Sequence, residues 1–236
     1  MTPLRWLAFG DADGAVWGAA WMPDGAAGHA VLGAGDDTTV LEARLEAGAG
    51  AGDSRLLGDG LELVLARVAG DGIVRASGTL TLGGVERSLD APGWLETVDE
   101  APPADKLESV RMLAAWFGDD EALSVLALRP RRARGQENDA VSAALVEAGA
   151  VRTVSDPRLS TTYTGEGQPS RAGVELWVSE PAEEPGTVNE HPHRVAGEAA
   201  GPPARWSEAG LELEVQPFRW HSHGRDGGGV YLLGRS

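Results

Sequence analysis

Four of the five histidines fall in two tight pairs, His191-Pro192-His193 and His221-Ser222-His223, the only concentrated set of metal-type ligands in the chain. In an extended segment residues i and i+2 project to the same side, so each pair presents two imidazoles together. Two such pairs meeting would make a four-His site, or a three-His site completed by Glu190, Glu198 or Asp226. The competing reading puts one pair in a Pro-rich loop and the other against a Gly-rich tail. No Glu stands at the spacing of the zinc-hydrolase helix motif, so loop histidines are preferred and no metal or cofactor is expected.

A second concentration of polar groups runs from Asp156-Pro157-Arg158 into Ser160-Thr161-Thr162-Tyr163. One reading is an Asp-Pro turn whose Arg pairs with the Asp, followed by a strand with its Thr facing outward. The other has Arg158, Thr162 and Tyr163 lining one wall of a pocket. Catalysis there would be general acid/base work, with Asp156 or Glu175 beside Tyr163 handling the proton and burial raising the carboxyl pKa. Nucleophilic chemistry has less support, because the chain has no Cys, no Gly-x-Ser-x-Gly elbow and no His adjacent to Ser160. Eight Trp complete the inventory. Each buries roughly 200 Å² and brings an indole N–H that wants an acceptor. Most are expected in the core, while Trp94, Trp116, Trp177 and Trp220 are candidates to line an apolar cavity.

The elements that must hold these residues read as β. Gly is 33 of 236 residues, about twice its usual frequency, and it punctuates short alternating segments instead of forming a low-complexity tract. Leu4 to Gly10 with Gly14 to Trp21, and Leu61 to Ala69 with Ile73 to Leu82, each read as a hairpin. The sharpest signal is Thr79-Leu80-Thr81-Leu82, Gly83-Gly84, Val85-Glu86-Arg87-Ser88-Leu89, since two glycines supply the positive φ angles of a type I′ turn. Strands are also expected at Leu107 to Phe117, Ala122 to Leu128, Val151 to Thr164, Gly173 to Ser179, Leu211 to Trp220 and Val230 to Leu233. Asp139 to Ala148 reads as a possible short helix. Pro181 to Pro203, with five Pro, reads as a surface loop over one end of the sheet. Without strand–helix alternation the nucleotide-binding α/β folds are excluded, and an all-β antiparallel barrel or sandwich is expected. Ala101-Pro102-Pro103 marks the expected boundary between an N-terminal β half, 1–104, and a C-terminal one, 105–236.

Composition removes further classes. With 36 acidic against 20 basic side chains the formal charge is −16, which repels nucleic acid and anionic membranes. The acidic clusters fall mostly in turns between strands, where they hydrate the rims of the sheet. The run Arg129-Pro130-Arg131-Arg132-Ala133-Arg134 reads as a solvated loop. No apolar run reaches the ~18 residues of a membrane span and the first residues lack a signal-peptide pattern, so a cytoplasmic protein is expected. Oligomeric state is not readable.

Gly78-Thr79-Leu80-Thr81-Leu82-Gly83-Gly84, then Ala91-Pro92-Gly93-Trp94, and later Arg158-Leu159-Ser160-Thr161-Thr162-Tyr163 leading to Arg171-Ala172-Gly173-Val174-Glu175-Leu176-Trp177, resemble the lipocalin-like superfamily of carotenoid 1,2-hydratases and hydroxyneurosporene synthases. The resemblance spans roughly residues 60 to 180. It implies two barrel-like halves packed together with an apolar ligand between or inside them. Pro92-Gly93-Trp94-Leu95-Glu96-Thr97 lacks the Asp-His-Ser-Trp-Gly style signature of the active members, so the resemblance transfers no catalytic residue. The resulting expectation is a lipocalin-like protein binding a hydrophobic or amphipathic small molecule in a Trp-lined cavity. The alternatives are an enzyme (hydratase, isomerase or cyclase) acting on an isoprenoid- or polyketide-like substrate, or a His-ligated metal protein.

Overall fold

A computed structural model describes the chain except residues 1–3, 12–14, 24–25, 51, 70–71, 99–103, 119, 133–138, 182–187 and 209. The expected boundary at Ala101-Pro102-Pro103 lies outside the described residues.

Eight strands form the first barrel: β1 (Leu4–Gly10), β2 (Val16–Pro23), β3 (Gly28–Ala34), β4 (Asp37–Ala47), β5 (Ser54–Gly58), β6 (Leu61–Ala69), β7 (Ile73–Leu82) and β8 (Val85–Val98). Each pairs antiparallel with its sequence neighbour, and β1 closes the ring on β8 from Leu4↔Val98 to Phe9↔Gly93. The Gly-Gly turn between β7 and β8 has φ of 57° at Gly83 and 76° at Gly84, the left-handed pair a type I′ turn requires.

A 3₁₀ turn, Ala104–Lys106, leads into the second half: β9 (Leu107–Trp116), β10 (Ala122–Pro130), β11 (Ala140–Glu147), β12 (Ala150–Tyr163), β13 (Pro169–Pro181), β14 (Val188–Ala199), β15 (Ala204–Glu208), β16 (Leu211–Ser222) and β17 (Arg225–Arg235). Here β9 to β14 run in sequence order, β17 pairs with β9, and β16 with β17. The end of β16 then bonds to β14, from Val195↔Ser222 to Ala199↔Phe218, and closes a second eight-stranded barrel. β15 pairs only with the first half of β16, so it sits outside the ring as a flap.

The apolar residues divide into three clusters. Leu7, Phe9, Met22, Leu32, Leu56 and Leu63 fill the first barrel; Leu113, Leu123, Leu145, Leu176, Phe218 and Tyr231 fill the second. The third cluster lies between the barrels and unites the outer faces of β1, β2 and β8 with those of β9, β15, β16 and β17. It contains six of the eight Trp: Trp6, Trp17, Trp21, Trp94, Trp116 and Trp206. Strands at this seam are buried on both faces and lose the period-2 alternation; β9 from Val110 to Trp116 is buried at every residue. Polar contacts cross the seam too. Trp116 Nε1 donates to the Asp11 carbonyl at 3.2 Å, Ser124 Oγ donates to Glu96 Oε2 at 3.0 Å, and His29 pairs with Glu208.

Two expectations are corrected. The segment expected as a short helix is strand β11, whose residues Ala140 to Val146 pair with Leu128 to Ala122. Its small and β-branched residues fit the pleat, and tertiary pairing overrides weak helical spacing. The Pro-rich stretch expected as a loop is largely strand β14. Its single internal proline, Pro192, stands opposite Trp177 and is tolerated within an otherwise continuous ladder. In addition, β3, β4 and β5 lie in a region where no strand was anticipated, and although acidic residues between strands were expected to be hydrated, Glu121, between β9 and β10, is buried.

Candidate functional site

The second barrel has a weak seam. β11 and β12 pair over three residues only, Leu145↔Arg152, Val146↔Val151 and Glu147↔Ala150. Beyond them β11 bonds to β10 alone and β12 to β13 alone. The register of β12 shifts between Ser155 and Arg158, and Asp156 there has φ of 46° while Pro157 offers no N–H. A bulge at this point bends the strand away from its neighbour.

A cleft of about 1050 Å³ lies at the parting. Asp139 and Val141 line one side, and the Asp156 to Ser160 stretch the other. Its apolar lining comes from Val141, Leu159, Val174 and Val195, which belong to or pack against the interior of the second barrel. Its polar lining includes Arg158, Glu175, Arg194 and His223. Arg158 hydrogen-bonds Asp156 and lies 3.5 Å from Glu175, and Arg194 donates to Glu175 at 2.7 Å. The hydrogen bond from Arg194 holds the Glu175 carboxyl below the ordinary range, with the charges of Arg194 and Arg158 adding to it. Hydrogen bonding to Asp156 raises Arg158. The buried Asp139 carboxylate is gripped by Arg111 and Arg129. These carboxylates are therefore matched by cations, and an ionised Glu175 carries no proton to donate near neutral pH.

A second polar group gathers where β14 closes on β16. His193, fully buried, has Nε2 3.3 Å from Ser222 Oγ and 3.9 Å from Glu121 Oε1, and Nδ1 3.8 Å from Glu147 Oε1. The His223 ring stands 4.8 Å from it, centroid to centroid. Arg225 donates to Glu121 Oε2 at 2.8 Å, and Arg152 Nε lies 3.2 Å from Glu147 Oε2. Burial pushes the His193 pKa down, the neighbouring His223 charge adds to this, and Glu121 and Glu147 oppose it.

Of the residues singled out from the sequence, Arg158, Asp156, Glu175, His221 and His223 line the cleft. Trp94 and Trp116 instead lie between the barrels. Trp220 is inside the second barrel, its ring laid over Gly197 and Gly229, where an added Cβ would come within 2.4 and 2.6 Å of it. It also lines a smaller cleft of about 320 Å³ with Arg171, Glu198 and Arg219. Trp177 is half-buried on β13. Thr162 and Tyr163 are exposed at the far end of β12, with the Arg235 guanidinium 5.9 Å above the Tyr163 ring. Tyr163 is five residues along the strand from Arg158, about 16 Å at the usual rise, so it does not stand beside Glu175, the partner of Arg158 in the ladder. Of the four paired histidines, His193 and His223 meet; His221 pairs with Asp226 at 2.9 Å, and His191 lies outside the group. Sequence reasoning did not point to Glu121, Glu147, Val174 or Val195. The inward alternation of Ala172, Val174, Leu176 and Val178 is the one signal that could have found any of them.

No family model matches this chain, and no curated protein matches it. Its fold is similar to the crystal structure of a Nitrosomonas europaea protein provisionally designated AttH, at a TM-score of 0.60 and 12% identity, covering 99% of this chain and 92% of that one. At that identity the likeness concerns the fold alone. Two packed antiparallel eight-stranded barrels fit a lipocalin-like architecture. Among the described residues no helix is long and apolar enough to cross a membrane.

Proposed function

We propose that the protein binds an amphipathic small molecule in the cleft of its second barrel. The observation that carries this reading is the parting of β11 from β12, beside which lies a cleft whose lining joins Val141 and the edge of the buried core, Leu159, Val174 and Val195, to a polar rim. A cleft of about 1050 Å³ is large enough for a small molecule, and it joins an apolar stretch to a rim of convergent charged and polar groups, a lining suited to an amphipathic ligand. The ligand's apolar body would lie on the valines and Leu159, and its polar head would meet Arg158, Arg194 and His223. Arg158 is thus the ligand-contacting residue kept from the sequence expectation. The Trp residues at the barrel seam serve packing instead. The resemblance to carotenoid 1,2-hydratase-type proteins supports an isoprenoid-like or similarly apolar ligand, and the mostly neutralised rim favours binding over acid/base catalysis.

The reading is tested by titrating the purified protein with a fluorescent long-chain fatty-acid analogue, followed by displacement with unlabelled fatty acids and isoprenoid alcohols. Saturable binding at one site and a raised melting temperature are expected. A lack of saturable binding, with no change in melting temperature for any of these compounds, would overturn it.

A further inference from the structure

We propose that Glu147, His193 and His223 form a binding site for a divalent transition-metal ion of the zinc class, at the end of the second barrel where β14 meets β16. One ligand atom from each of the three lies within 4.8 Å of the others. A tetrahedral ion with ligands at about 2.0 to 2.2 Å needs its ligand atoms about 3.3 Å apart. Glu147 Oε1 and His193 Nδ1, at 3.8 Å, are already within about half an ångström of that separation. His223 is exposed on the β16–β17 turn, and a shift of up to about 1.5 Å of its side chain completes the set.

The surroundings are those of a built site. The His193 side chain is 1% exposed, yet its Nδ1 has no hydrogen-bond partner, and that atom faces the Glu147 carboxylate. Its other nitrogen is spoken for: Nε2 stands 3.3 Å from Ser222 Oγ, with Glu121 Oε1, itself buried and unpartnered, 3.9 Å away. A proton on Nε2 donated to this side leaves the Nδ1 lone pair for a cation, the arrangement by which metal-bound imidazoles are oriented. Glu121 and Glu147 are each steadied through their second oxygen, by Arg225 and Arg152. Two imidazoles and one carboxylate suit zinc or a neighbouring metal; calcium and magnesium want oxygen donors in larger number. Three protein ligands leave a coordination position open. His223 belongs both to this set and to the lining of the cleft, so the ion would stand at the cleft's edge. By contrast, His29–Glu208 and His221–Asp226 are pairs outside any three-ligand group among the described residues.

The test uses protein purified without an affinity tag, stripped with chelator and titrated calorimetrically with zinc chloride near neutral pH, with no organic ligand present. This keeps its outcome separate from that of the cleft. The expected result is one equivalent of zinc per chain and, on cobalt substitution, the intense visible absorption of a tetrahedral site. His223→Ala, on an exposed turn, should fold normally and weaken zinc at least about tenfold. Glu121→Gln should weaken it about 10- to 100-fold without touching a ligand. His221→Ala should leave it unchanged. Absence of a saturable equivalent in the wild type, or wild-type affinity in folded His223→Ala and His193→Gln, would overturn the proposal.

Discussion

Replacing Trp116 by Ala tests whether the tryptophans hold the barrels together or line a ligand site. Trp116 ends β9, is 1% exposed, packs in the layer between the barrels and donates its indole N–H to the Asp11 carbonyl across the seam. Truncation to a methyl removes roughly 150 Å² of buried apolar surface, about 4 kcal/mol at ~25 cal/mol per Å². The lost hydrogen bond adds about 1 kcal/mol. The total, about 4 to 5 kcal/mol, sits at the upper end of measured Trp-to-Ala truncations. Trp116→Phe keeps most of the area and should cost about 1 to 2 kcal/mol. Urea denaturation followed by far-UV circular dichroism gives both values from midpoint and slope. Both variants should bind the fatty-acid analogue with wild-type affinity wherever they remain folded. A loss below about 2 kcal/mol for Trp116→Ala, or wild-type stability with abolished ligand binding, would refute the packing role.

The Gly-Gly turn and the rim of the cleft provide two further checks. Gly83→Val places a β-branched residue at φ of 57° and should lower stability by more than about 1 kcal/mol, while Gly83→Asn should be nearly neutral; equal melting temperatures for the two would count against the type I′ turn. At the rim, the Glu175 carboxyl should titrate below its ordinary value of 4.5, and Arg194→Ala should move it back up, as read by carboxyl-carbon NMR. Because its folded pKa is the lower one, the stability it contributes is fully present above pH 4.5 and fades as pH falls through the folded value. An unmoved midpoint in Arg194→Ala would mean that this guanidinium does not hold the carboxylate.

The sequence revealed what is local. Gly83-Gly84 and the alternation of Leu211 to Val215 each specify a hairpin or strand through a few neighbouring residues, and both are present, whereas Gln216, next in line for the wet face, is buried and donates to the Pro169 carbonyl. The strands of the seam were legible as apolar runs, but their two-sided burial depends on a second barrel that no local pattern announces. β11 was ambiguous because Ala-rich spacing serves helix and strand alike; β14 was hidden by counting prolines over a whole stretch of which only Pro192 falls in the strand's interior. The tryptophans were conspicuous by type, yet whether an aromatic faces a cavity or a neighbouring barrel is decided by packing at long range. Likewise, the spacing within each His pair could be read, while the meeting of His193 with His223 follows from the β14–β16 closure. Glu147 joins them from a strand 46 residues away from His193, a relation only the folded barrel creates.

The central claim is that the ligand site is the cleft in the second barrel and not the tryptophan layer. Ala196 is exposed on β14 and lines the cleft, so Ala196→Trp should obstruct it without disturbing either core. The most direct measurement is therefore fluorescence titration of the fatty-acid analogue into wild type, Ala196→Trp and Trp116→Phe. Binding weakened at least about tenfold, a change of about 1.4 kcal/mol, is predicted in Ala196→Trp, with unchanged binding in Trp116→Phe. Unchanged binding in Ala196→Trp and lost binding in folded Trp116→Phe would contradict the account.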